Sequence, residues 1–174
     1  MQFFSGFSLK NEEYLFTPYI KCSDFSICGF SYGAIKALEY VQEALKQKKR
    51  VDTLQLFSPA FFQTKDEKFK RLQLMSYKKN EKLYLENFIS SCFEPYERKI
   101  VEFNGSDTID DLKKLLEYEW DLEALQKIID AGVIIEVYLG LQDKIIDAEG
   151  AYSFFKQVVN VTAIKNGNHF LQLS

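Results

Sequence analysis

The chain has 174 residues, 47% hydrophobic and 27% charged, which excludes a disordered or fibrous protein and leaves room for a domain with a sizeable core. Its net charge of −3 argues against a general nucleic-acid binder, because neutralising phosphates takes a basic excess. The 3 cysteines lack C-x-x-C spacing, so neither a disulfide framework nor a zinc site is indicated, and the 1 histidine, His169, excludes multi-histidine metal sites.

Residues 1–4 read as a short buried strand, ended by Ser5-Gly6. Residues 1–9 are apolar but have no basic n-region, and Lys10, Glu12 and Glu13 follow. They do not read as a signal peptide, and no later uncharged stretch approaches a membrane span. A cytoplasmic protein with reduced thiols is therefore expected. Residues 11–20 suggest a short helix, curtailed by Pro18. Residues 25–30 are an apolar run of strand length. After Ser31-Tyr32-Gly33, the residues Ala34, Ile35, Leu38, Val41 and Leu45 recur at helical spacing, and the helix closes on basic residues that complement its dipole. A second apolar run, 51–57, stops at Ser58-Pro59. Strand, helix and strand make a βαβ unit, so the sheet is expected to be parallel and buried.

From about 60 to 130 helical periodicity dominates and no strand is expected. Phe69, Leu72 and Met75 share one spacing, Leu85, Phe88, Ile89 and Cys92 a second, and Leu112, Leu115 and Leu116 a third. A fourth helix carries Leu122, Leu125, Ile128 and Ile129. Thr108 with Asp111 forms a candidate cap for the third helix, and Gly132 suits the end of the fourth. The α/β pattern resumes with a strand at 133–139, a helix at 148–157 with Asp147 as N-cap, and a strand at 158–164 that leads into Gly167-Asn168-His169. The reading is a single α/β domain spanning 1–174. It has a mainly parallel sheet and a helical insertion at about 60–120, placed to cap the sheet.

Gly29-Phe30-Ser31-Tyr32-Gly33 fits G-x-S-x-G. This chemistry turns the chain sharply from strand to helix and exposes a strained serine hydroxyl, which requires small residues two before and two after. Given 8 glycines in 174 residues, chance supplies only about 0.03 such matches. An apolar strand precedes the motif and an amphipathic helix follows it. The N–H of Tyr32 is one candidate oxyanion donor. The second belongs in the Ser5-Gly6-Phe7 loop, where Phe7 is favoured over Gly6. His169, beyond the last strand, is the only histidine able to serve Ser31 as base. The orienting carboxylate is expected on a loop between them. Asp143 fits, with Asp147 as a rival better suited to capping.

Ser31, Asp143 and His169, in that order, resemble the α/β-hydrolase superfamily over the whole chain, with residues 60–120 in the position of its cap. Phe3-Phe4-Ser5-Gly6-Phe7, the elbow from Gly29 to Ala37, Leu56-Phe57-Ser58-Pro59, Phe69-Lys70-Arg71-Leu72-Gln73-Leu74 and Asn168-His169 are similar, more narrowly, to the small pimeloyl-[acyl-carrier protein] methyl ester esterases of the BioV type. The resemblance implies a reduced α/β-hydrolase fold, no cofactor or metal, and removal of a methyl ester from pimeloyl-acyl-carrier protein in biotin-precursor synthesis. Two departures stand out. Residue 4 ends the first strand and residue 29 opens the elbow, too close for the family's full set of strand–helix pairs. Ser5-Gly6 also replaces the usual His-Gly.

Charge adds a separate indication. Residues 65–82 hold 7 basic against 3 acidic side chains in a chain of net charge −3. Lys65, Lys68, Lys70, Arg71 and Lys78 in this stripe suit the docking of an acidic carrier protein, although charge runs also serve simply as solvated helix faces. Phe61, Phe62, Phe69, Leu72 and Met75 are candidates to line an acyl channel, or plain core. Two other readings stay open: an acyl thioesterase or general short-chain esterase, and a non-catalytic carrier-binding module on a hydrolase scaffold.

Overall fold

The first apolar run forms strand β1 (Gln2–Phe4), and a short loop leads to β2 (Leu9–Lys10). The computed structural model describes residues 1–174. The segment expected to be a helix at 11–20 instead makes a single 3-10 turn at Glu13–Phe16. Phe16 is fully buried there, stacked on Phe57 at 4.9 Å and tilted against Phe30 at 4.8 Å. Seating that one ring under the sheet takes precedence over a longer helix, which Pro18 would in any case curtail.

Strand β3 (Ser26–Phe30), helix α1 (Tyr32–Lys46) and strand β4 (Thr53–Phe57) complete the expected βαβ unit. The insertion then supplies α2 (Glu67–Lys79), α3 (Glu81–Phe93), the short strand β5 (Glu102–Phe103), α4 (Ile109–Glu117) and α5 (Leu122–Asp130). Strand β5 corrects the expectation of a purely helical middle. It pairs antiparallel with β2, Leu9 opposite Phe103, and two residues are too few to leave a period in the sequence. Asp111 accepts the N–H of Thr108 at 2.8 Å at the head of α4, and Gly132 follows α5 with φ of 91°. The chain returns to the sheet through β6 (Ile134–Gly140), α6 (Ala148–Phe155) and β7 (Asn160–Ile164).

The main sheet has five strands in the order β1-β3-β4-β6-β7, all parallel. Strand periodicity sorts its side chains into two layers. Ile27, Leu54, Leu56, Ile135, Val137 and Leu139 pack with the α1 side chains Ile35, Leu38 and Val41 and with Phe155 of α6. On the opposite face Cys28, Phe30 and Phe57 meet Phe16, Phe93 and Phe170. Trp120 fastens the insertion to the end of β4, its indole N–H donating to the Ala60 carbonyl at 2.8 Å. No helix is long and apolar enough to cross a membrane.

Candidate active site

Ser31 sits between β3 and α1 with φ 53° and ψ −115°, a conformation an L-residue adopts only when its surroundings force it. The force is close packing of strand against helix. A Cβ on Gly33 would lie 1.9 Å from the Phe4 carbonyl oxygen of β1, and one on Gly29 would lie 2.4 Å from the Gly33 carbonyl oxygen. Both elbow glycines are thus steric requirements.

Asp143 follows β6 and His169 follows β7, so parallel neighbours deliver the two side chains to the same end of the sheet as Ser31. The structure brings the three together. His169 Nε2 is 3.0 Å from Ser31 Oγ, and His169 Nδ1 is 2.6 Å from Asp143 Oδ2. The other Asp143 oxygen accepts the N–H groups of Ile145 at 2.7 Å and Ile146 at 3.2 Å. A carboxylate held this way accepts from Nδ1–H, which leaves Nε2 free to accept the serine proton. His169 is fully buried, its ring 4.9 Å from that of Phe30. Its loop is fixed by buried Asn168, which donates to the Phe93 carbonyl at 2.8 Å and accepts the N–H groups of Phe170 and Gln172.

The rival carboxylate, Asp147, lies elsewhere in the chemistry. It caps α6, accepting the Gly150 N–H at 3.0 Å and the Thr64 hydroxyl at 2.8 Å. The Gly150 hydrogen bond, helped by the Thr64 hydroxyl and partly opposed by desolvation, holds its carboxyl below the usual aspartate range.

Gly6 is unavailable as an oxyanion donor, because its N–H is given to Glu12 Oε1 at 2.7 Å. The N–H groups of Phe7 and Tyr32 donate to no protein acceptor. Phe7 and Ser31 line one cavity of about 660 Å³ under the cap. Phe62, Phe69, Leu112, Leu115 and Leu116 supply apolar wall, and Lys65, Lys79 and Lys144 supply cations. Lys79 belongs to the basic stripe, but nothing in the sequence singled out Lys144, because a cavity wall assembled from separate segments has no linear signature.

Three expected channel residues, Phe61, Leu72 and Met75, are corrected. Phe61 is not in the wall; it is 1% exposed and packs on Phe154 and Phe155 in the core. Leu72, 49% exposed, is on the outer face of α2 with exposed Met75. Of the basic stripe, Lys65 and Lys79 reach the cavity. Lys68, Lys70 and Arg71 border a separate shallow groove with Glu67 and Glu117, and Lys78 is exposed on α2. Lys70 also pairs with Glu67 at 3.3 Å.

A strand-ordered parallel sheet with a serine elbow at its carboxyl end, followed in sequence by acid and histidine loops, decides the architecture. The chain has the α/β-hydrolase fold. No family model matches the sequence, and no curated protein matches it. Solved structures of this fold do. BioG from Haemophilus influenzae matches with a TM-score of 0.56 at 13% identity, over 98% of this chain and 88% of its own. A bromoperoxidase from Bacillus anthracis gives 0.57 at 13% identity, over 83% and 60%. The naproxen esterase of Bacillus subtilis gives 0.51 at 21% identity, over 85% and 54%. The chain spans between 54% and 59% of the length of that esterase and of the Exiguobacterium antarcticum esterase.

Proposed function

We propose that the protein is a serine carboxylesterase that hydrolyses the methyl ester of a pimeloyl chain borne by acyl-carrier protein. The observation that carries the esterase reading is the hydrogen-bonded series Ser31–His169–Asp143, whose serine lines the cavity. Ser31 Oγ attacks the ester carbonyl as its proton passes to His169 Nε2, and the Phe7 and Tyr32 N–H groups receive the oxyanion. The bond to the methoxy oxygen breaks, and methanol leaves with the proton from His169. Water, deprotonated by the same imidazole, then cleaves the acyl-enzyme and regenerates Ser31.

The choice of substrate rests on the sequence resemblance, the mixed cavity and the basic cap. An apolar wall suits a methylene chain, while Lys68, Arg71 and Lys78, none of them in an ion pair, suit an acidic carrier that stays outside. One methylene is worth only about 1–3 kcal/mol, so discrimination by chain length is modest.

Mass spectrometry of the products from pimeloyl-acyl-carrier protein methyl ester tests the reading. The expected product is the free carboxylate with the thioester intact, and Ser31→Ala lowers kcat by about 10⁴-fold or more. Cleavage of the thioester instead identifies a thioesterase. Lack of organophosphonate labelling at Ser31 in the wild type identifies a non-catalytic binding module.

A further inference from the structure

The loop joining β1 to β2 divides its hydrogen bonds in an uneven way. The Gly6 N–H donates to Glu12 Oε1 at 2.7 Å, and the Ser8 N–H donates to Asp107 Oδ2 at 2.6 Å. The amide between them, that of Phe7, is given to no protein group, and Phe7 borders the cavity that holds Ser31. Both acceptors are costly to bury. Glu12 is 0% exposed, and the Asp107 side chain is 8% exposed. Glu12 Oε2 has no hydrogen-bond partner at all. Ser8 and Asn11 both hold positive φ, 58° and 61°, so this loop does not keep its shape by local preference.

Asp107 belongs to the cap. Its second oxygen takes Lys36 Nζ of α1 at 3.2 Å, which offsets its charge. Neighbouring cap residues grip the same region. The Asn104 N–H donates to the Ser8 carbonyl at 2.9 Å, and the Tyr32 hydroxyl at the elbow donates to Asp111 Oδ1 at 2.9 Å. Residues 104–111 thus touch the segments that carry both free amides.

We infer that Glu12 and Asp107 are positioning residues, holding the peptide groups on either side of Phe7 so that its N–H is aimed into the site. The cap thereby completes the oxyanion site as well as covering it. This rests on the esterase reading above. Neither carboxylate touches the reacting atoms. Each acts only through the backbone N–H it accepts, that of Gly6 or Ser8. Anchored donors need no reorganisation during reaction, which is where such sites gain most of their effect.

The test uses the full chain and p-nitrophenyl butyrate, with thermal melting to establish that each variant is folded. Glu12→Ala and Asp107→Ala lower kcat about 100-fold and change KM less than about threefold, the pattern for a lost transition-state donor. Glu12→Gln and Asp107→Asn keep an acceptor oxygen and restore much of the loss. The double alanine variant falls little below the worse single one, because both residues serve one amide. Folded alanine variants with kcat within about threefold of wild type overturn the inference and leave the esterase intact. A wild type that neither turns over the ester nor labels at Ser31 overturns both. Where Glu12→Ala does not fold, Asp107→Ala decides, since its side chain lies at the edge of the cap.

Discussion

All five residues of β3 are buried, whereas of the 13 residues of α2 only Tyr77 is. The two elements stand for two halves of the molecule. In the sheet, the central strands β3 and β4 are buried along nearly their whole length, and the loops at the carboxyl ends lean on that rigid centre. Ser31, Asp143 and His169, which need placement to a fraction of an ångström, all sit there. The cap helix is held along one edge by α3 and α4 and presents charge to solvent over the rest. Its residues suit recognition at longer range, where geometry is less exacting. The fold separates a part that tolerates no displacement from a part that tolerates much.

Three perturbations break or sharpen that contrast. Gly33→Ala acts on the rigid half: its Cβ meets the Phe4 and Ser5 carbonyl oxygens, so urea denaturation is expected to show a loss of about 3 kcal/mol together with impaired turnover. Unchanged stability would mean that α1 and β1 do not approach as described. Reversing Lys68, Arg71 and Lys78 to glutamate acts on the tolerant half. It lowers kcat/KM for the carrier-linked ester about tenfold at low salt, and added salt narrows the deficit. A salt-independent kcat/KM equal to wild type removes these residues from docking. The smallest effect is at the join. Asp147→Ala removes the α6 cap and costs about 1 kcal/mol near neutral pH. Because the folded state lowers the Asp147 pKa, its contribution is present above the unfolded value and fades as pH falls through the folded one. Wild-type and variant melting temperatures therefore converge in acid, and a gap that persists there argues against the charged cap.

The same contrast governs how much was legible in the sequence. Strands β3, β4 and β6 were readable because burial leaves predominantly apolar runs of strand length, interrupted only singly by Gln55 and Glu136, and Ser31 was readable because its elbow needs glycine on both sides. His169 and Asp143 followed from a single histidine and chain order. In the cap, periodicity shows which residues share a face of α2 but not what that face meets. Phe69 turned to the cavity and Leu72 to solvent, although both lie on one helical repeat. Phe61, outside any helix, went to the core. Glu12 left no sign at all, since an acidic side chain beside Glu13 reads as surface until the chain folds over it. Asp107 was equally silent because its partner, the Ser8 N–H, is 99 residues away.

The pairing of β2 with β5 bears on how this molecule can be recombined. The insertion leaves after β4 and rejoins at β6, which suggests two natural crossover points for exchanging caps between proteins. An exchange at those points alone would strand residues 8–10 without their partners at 102–104 and 107. A working chimera has to carry strand β2 and its flanking loop along with the insertion, as a single inherited block.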